Sequence, residues 1–85
     1  MWTLYTSENC SQCEQLKKYL ADNHIEFDKK VLDVDFNTGD LIAETSKRGN
    51  PTLSFPVLIK DNVCYTTRQF LKGNVLDEVW LGDNL

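Results

Sequence analysis

The chain has 85 residues, of which 41% are hydrophobic and 26% are charged. This length suits one small domain, which we assign to residues 1–85, and it leaves no room for a second hydrophobic core. The formal net charge of −4 disfavours binding to nucleic acid or to an anionic membrane surface, because no net basic field attracts phosphates. The apolar runs are too short to span a membrane, and the N-terminus shows no signal peptide.

The first half of the chain alternates between strand and helix signals. Residues Trp2–Tyr5 alternate in hydrophobicity and predict a strand, which a polar loop through Asn9 follows. Apolar residues three and four positions apart predict a helix from Ser11 to about Asp22, with Asn23 as a left-handed cap. Residues 25–35 predict a second strand with ragged ends.

A second helix and a hairpin are expected next. Asn37 or Thr38 is expected to cap a helix over residues 39–48, which Gly49 ends. Residues 57–59 and 63–65 predict the two strands of a hairpin around a tight turn.

A last helix is expected from Thr67 through Val79, and the interruption at Gly73-Asn74 leaves open whether it forms one piece or two. The order is then β-α-β-α-β-β-α. Two strands joined across a helix pair in parallel, and the closing hairpin is antiparallel. We therefore predict an α/β, thioredoxin-like fold with a four-stranded mixed sheet and three helices.

Cys10 and Cys13 lie where the first strand gives way to the first helix. Three cysteines are too few for a disulfide scaffold, and this pair indicates redox or metal chemistry in a reducing, cytoplasmic compartment. The unpaired N–H groups of the first helical turn should stabilise a Cys10 thiolate and lower its pKa, although Glu8 and Glu14 oppose this. Cys13 lies one turn along the same face, so Cys10 is expected to attack a target disulfide and Cys13 to resolve the product.

A metal site is the alternative for this cysteine pair. Zinc would need two further ligands, and the candidates are Cys64, His24 and the carboxylates. His24 should lie roughly 15–20 Å from Cys10 at the helical rise per residue, so it cannot join a mononuclear site with both cysteines. Cys64 is expected to be a small buried side chain with a structural role.

Pro56 is a second candidate element of the site. A cis bond after Phe55 would leave the Phe55 backbone free to pair with an extended substrate. The alternative is a trans proline at the start of an edge strand, where a missing N–H is harmless. The upstream cysteine pair favours the cis form. Thr66 and Thr67, at a strand-to-helix turn, are either carboxylate-binding groups or an ordinary helix cap.

Three features together resemble one known family. These are Leu4-Tyr5-Thr6 leading to Cys10-Ser11-Gln12-Cys13, then Phe55-Pro56-Val57 downstream, and the total length. Over nearly its whole length, the chain is similar to the glutaredoxin family of thioredoxin-fold proteins. The resemblance implies catalytic residues Cys10 and Cys13 and a set of substrate-binding residues: Ser11, Gln12, Phe55, Pro56, Thr66 and Thr67.

The resemblance leaves the electron donor open between two branches. Glutathione-using members carry a basic residue shortly before the first cysteine, where this chain has Ser7, Glu8 and Asn9. They also carry a Gly-Gly pair after the last strand, where this chain has Thr66 and Thr67. Gln12 resembles instead the glutaredoxin-like redoxins that serve ribonucleotide reductase and accept electrons from thioredoxin reductase. That branch usually has Ser-Gly where Thr67 closes the turn.

The resulting hypothesis is a monomeric dithiol–disulfide oxidoreductase with no bound cofactor. Its expected partners are disulfide-containing proteins, among them ribonucleotide reductase, and its expected electron source is glutathione or a flavoprotein reductase of the thioredoxin-reductase type. Two alternatives belong to other classes. One is a module that binds an iron–sulfur cluster or zinc between protomers through Cys10 and Cys13, and the other is an inactive thioredoxin-fold adaptor.

Overall fold

The computed structural model describes residues 1–85. In chain order, the elements are β1 (Trp2–Thr6), α1 (Ser11–Asp22), β2 (Phe27–Val31), α2 (Thr38–Lys47), β3 (Val57–Lys60), β4 (Val63–Tyr65), α3 (Thr67–Phe70), β5 (Leu71–Lys72), β6 (Val75–Leu76) and α4 (Glu78–Asn84). Four strands form one mixed sheet in the order β2-β1-β3-β4. β1 is parallel to β2 and antiparallel to β3, and β3 is antiparallel to β4. The predicted fold class and strand directions are confirmed.

The C-terminal part of the prediction is wrong, because there are four helices and not three. α3 and α4 are separate, and the short β5–β6 hairpin lies between them. Gly73 in its turn has a φ of +67°, a left-handed conformation that ends a helix and that glycine adopts without steric cost. The interruption that the sequence shows at this glycine is therefore a reversal of the chain.

Turns also replace two other predicted features. The second strand ends at Val31, and Asp33, with a φ of +65°, begins a turn in which its N–H donates to the Phe36 carbonyl. After α1 the left-handed residue is His24, with a φ of +57°, and not Asn23, whose φ is −99°. The Asn23 side chain caps α1 differently, because its amide donates to the Tyr19 carbonyl at 2.8 Å.

α2 begins and ends close to the predicted positions. The Asn37 side chain accepts from the Asp40 N–H at 2.9 Å, and the Asp40 carboxylate accepts from the Asn37 N–H at 3.1 Å. This reciprocal capping box satisfies two donors that the first turn would otherwise leave unpaired. Gly49, with a φ of +75°, follows the C-terminal end of the helix.

The two faces of the sheet carry separate apolar clusters. Successive residues of a strand point to opposite faces, so Leu4 and Tyr5 belong to different clusters. The first cluster involves α1, α3 and α4 and consists of Trp2, Leu4, Leu16, Leu20, Leu58, Phe70 and Leu81. The second involves α2 and consists of Tyr5, Phe36, Leu41, Val57, Ile59 and Cys64. None of the four helices combines the length and apolarity that crossing a membrane requires.

Replacing Phe70 with alanine should lower the free energy of unfolding by about 3–5 kcal/mol, since its ring is fully buried and its loss leaves a cavity. Val79→Ala is the matched control, because that side chain is 76% exposed, and should change stability by less than about 0.5 kcal/mol. Urea denaturation followed by circular dichroism measures both. Equal effects of the two variants would contradict the role of α3 in the core.

Candidate functional site

Cys10 is the N-cap residue of α1. Its backbone is extended, with φ −108° and ψ 104°, and its Sγ accepts a hydrogen bond from the Cys13 N–H at 3.1 Å. The sulfur thus takes the place of the Ser, Thr, Asp or Asn oxygen that usually caps a helix. Asn9, with a φ of +56°, turns the chain from the loop after β1 into this position. The arrangement favours negative charge on the Cys10 sulfur, because the Cys13 N–H donates to it and the positive end of the helix dipole lies there.

Cys10 and Cys13 form a disulfide, with their Cα atoms 5.2 Å apart. The three-residue spacing predicts this proximity. Cys13 is 2% exposed, whereas Cys10 is half-buried, so an incoming molecule reaches Cys10 first. The Glu14 carboxylate, which would oppose a thiolate, is paired with Lys17 at 3.0 Å.

Strand order brings the other predicted site segments to the same end of the sheet. Tyr5 lies opposite Val57 in the antiparallel β1–β3 pair, so the end of β1 and the start of β3 coincide. Leu58 lies opposite Tyr65, so the C-terminal end of β4 falls at that same end of the sheet. Three segments therefore lie side by side at this end of the sheet. They are the loop to Cys10, the loop through Pro56, and the turn at Thr66 and Thr67.

The loop before β3 presents an unpaired stretch of backbone. The Phe55–Pro56 peptide bond is cis, Pro56 is buried, and Phe55 is half-buried against Phe36. The hydrogen bonds within the loop involve Thr52 and Ser54 and not the Phe55 backbone. The alternative of an edge strand after Pro56 is wrong, because β3 lies between β1 and β4.

The two threonines after β4 have different environments. Thr66 is fully buried and caps α3: its hydroxyl donates to Gln69 Oε1 at 2.9 Å and accepts from the Arg68 N–H at 3.3 Å. Its hydroxyl therefore serves the cap of α3, which is the alternative that the sequence left open for this residue. Thr67 is half-exposed, as is Gln12, and Ser11 is exposed.

Two residues that the sequence analysis did not select connect these segments. The Asn50 side-chain amide donates to the Cys64 carbonyl at 3.0 Å and to Gln69 Oε1 at 3.2 Å. Gln69 Oε1 also accepts from the Thr66 N–H at 2.8 Å. The Thr66-x-x-Gln69 spacing is a capping-box pattern and could have identified Gln69. No local pattern predicts the contacts of Asn50, which join residues 14 and 19 positions apart.

Three further side chains near these segments pack in the core or against it. Tyr5 is buried in the cluster beside α2, and the ring of Tyr65 packs edge-on against Trp80, with ring centroids 4.7 Å apart. Cys64 is buried, and this burial raises the pKa of its thiol, an effect that the positive charge of Arg48 partly offsets. The structure holds no group of three or more His, Cys, Asp or Glu side chains placed to bind a metal ion.

Comparisons with known proteins match one family over most of the chain. The family model described as Glutaredoxin matches residues 2–65. The chain is 30% identical over 66 residues to the glutaredoxin-like protein NrdH of Lactococcus lactis subsp. lactis strain IL1403, covering 78% of this chain and 85% of that protein. It is 29% identical, with the same coverage, to the protein of the same name from L. lactis subsp. cremoris strain MG1363.

A solved structure shows the same fold. Glutaredoxin 1 from Francisella tularensis, determined in complex with cacodylate, superposes with a TM-score of 0.60 at 23% sequence identity. The similarity covers 74% of this chain and 77% of that one.

In the folded, reduced protein, iodoacetamide should modify Cys64 at least roughly tenfold more slowly than Cys10 at about pH 8, because burial hinders access and raises the pKa of the Cys64 thiol. Timed alkylation and mass spectrometry of the cysteine peptides measure both rates. Denaturation in urea is the control and should bring Cys64 to the rate of an ordinary thiol. Modification of both residues at one rate in the folded protein would contradict this placement.

Proposed function

Because the chain belongs to the glutaredoxin family, we propose that it is a dithiol–disulfide oxidoreductase that reduces disulfides in proteins. The observation that carries the proposal is the position of Cys10, a half-exposed sulfur at the N-cap of α1 in a disulfide with the buried Cys13. A helix N-terminus stabilises the thiolate that attacks, and the buried partner lies within reach to resolve the product.

The reaction runs in two exchange steps. In the reduced protein the Cys10 thiolate attacks one sulfur of the target disulfide, forms a mixed disulfide, and releases the other sulfur as a thiolate that takes up a proton. Cys13 then loses its proton and attacks Cys10 Sγ, which forms the Cys10–Cys13 bond and releases the target as a dithiol. Two electrons pass from the pair to the target, and the Cys10–Cys13 disulfide corresponds to the oxidised form of the pair.

The substrate is expected to lie across the three segments that meet at this end of the sheet: the loop to Cys10, the loop through Pro56 and the turn at Thr67. The free backbone of Phe55 suits pairing with an extended peptide around the target disulfide. Ser11, Gln12 and Thr67 have accessible side chains beside that path, and Pro56, which is buried, contributes by shaping the loop. Ribonucleotide reductase is a candidate target through the resemblance of Gln12 to the redoxins that serve that enzyme.

Two electron sources fit this site, and the protein needs no resident cofactor to use either. Glutathione with its reductase would act through two monothiol exchanges, and a flavoprotein of the thioredoxin-reductase class would act through one dithiol exchange. We propose that the protein works as a monomer in the cytoplasm. Turnover of a protein disulfide with each source in turn, at matched flux of nicotinamide cofactor, identifies the physiological donor.

Cys13→Ser should accumulate a mixed disulfide between Cys10 and a target protein when glutathione is absent, because the first exchange proceeds and the resolving thiol is missing. Cys10→Ser should form no adduct, and Cys64→Ser should turn over at the rate of the unmodified protein. Non-reducing electrophoresis and intact-mass spectrometry detect the adduct, and dithiothreitol should release it.

Undiminished dithiol turnover by Cys13→Ser would contradict the assignment of the resolving thiol. Absence of any adduct, together with no reduction of any disulfide by the unmodified protein, would favour an adaptor. A coloured protein with iron at half-stoichiometry per chain would favour a cluster-binding module instead.

A further inference from the structure

Asn50 connects two walls of the proposed substrate groove, the loop of residues 50–56 and the turn at Thr66 and Thr67. We propose that Asn50, acting through Gln69, is a positioning residue that sets the separation of these walls and so determines affinity for extended peptide disulfides. The inference rests on the proposed function and identifies a specificity determinant within it.

On one side, Asn50 belongs to a segment that is fixed to α2. Its N–H donates to the Thr45 carbonyl at 3.1 Å, directly after the left-handed Gly49. Two residues later the Thr52 N–H donates to Thr45 Oγ1 at 3.1 Å, and that buried hydroxyl donates to the Leu41 carbonyl at 2.8 Å. The start of the loop that carries Pro56 thus follows the position of α2.

On the other side, both side-chain donors of Asn50 are directed at the segment after β3. One bond reaches the Cys64 carbonyl on β4, at 3.0 Å, and one reaches Gln69 Oε1 on α3, at 3.2 Å. The same Gln69 oxygen accepts from the Thr66 N–H at 2.8 Å and from the Thr66 hydroxyl at 2.9 Å. This one oxygen therefore joins the cap of α3 to the loop.

The arrangement matters because a peptide would touch both walls at once. The Phe55 backbone lies on the loop and Thr67 directly follows the capped Thr66, so a change in their separation weakens one contact or the other. A small disulfide needs only access to Cys10, whose position depends on α1 and not on Asn50. Loss of the bridge should therefore affect peptide binding and leave the chemistry of the cysteine pair unchanged.

The test is single-turnover oxidation of the pre-reduced protein, which needs no external reductant. One substrate is a disulfide-bonded peptide of extended sequence, and the other is bis(2-hydroxyethyl) disulfide. For Asn50→Ala, the concentration giving half-maximal rate should rise about five- to tenfold with the peptide, the effect of losing one hydrogen bond between the peptide and the groove. The maximal rate, and the rate constant with the small disulfide, should stay within about twofold.

Matched variants separate positioning from general damage. Asn62→Ala removes an exposed asparagine in the turn between β3 and β4 and should behave like the unmodified protein. Gln69→Leu should reproduce the peptide-specific effect because leucine cannot accept the three bonds. Gln69→Glu should restore the unmodified behaviour, because a carboxylate oxygen accepts the same donors. The Gln69 pair also tests the proposal should Asn50→Ala fail to fold.

Amide hydrogen exchange provides a readout that is independent of activity. In Asn50→Ala, the Thr66 N–H should exchange at least about fivefold faster, since the oxygen that accepts it loses its tie to the loop, while the Cys13 N–H should be unchanged. Equal losses with both disulfides, no loss with either, or an unchanged Thr66 exchange rate would overturn the inference. A failure of the proposed function looks different, because the unmodified protein would then reduce neither disulfide.

Discussion

Cys10 ends the loop after β1 and begins α1, and its sulfur satisfies a backbone donor of the first helical turn. The Cys13 N–H has no partner inside the helix at this position, so the bond to Cys10 Sγ at 3.1 Å serves the helix as a cap. The same bond is available to a thiolate, where it is charge-assisted and stronger. Folding of α1 and activation of the sulfur therefore depend on one contact, and a cysteine that caps a helix is already placed for nucleophilic attack.

The topology of the sheet determines what surrounds that sulfur. β1 enters the sheet beside β2 through a helical connection, which leaves its C-terminal end free to deliver Cys10. β3 runs the opposite way beside it, and β4 reverses again. The segments at Pro56 and Thr66, which follow Cys10 by 46 and 56 positions, thereby come to the same end of the sheet. The site needs this alternation of strand directions, since a parallel β3 would carry Pro56 to the far end of the molecule.

Local patterns predicted the elements whose determinants are local. The buried face of α1, with Cys13, Leu16 and Leu20, follows from helical periodicity, and the cysteine pair follows from its spacing. The last helix was wrong because apolar residues on both sides of Gly73 keep a helical spacing while the chain reverses between them. The contact of Asn50 with Gln69 was not predictable, because side chains meet there only after α2 and β4 have taken their places.

The three cysteines of the chain show why placement decides chemistry more than residue type does. Cys10 is half-exposed and faces the donors of a helix terminus, so its environment favours the charged form. Cys64 is buried in the cluster beside α2, where burial raises the pKa of the thiol and favours the neutral form. Cys13 is buried as well, yet it lies within one helical turn of Cys10 and is bonded to that sulfur. In the proposed exchange reaction, the steps therefore begin at Cys10 and end at Cys13, and burial keeps the Cys64 thiol away from an incoming target.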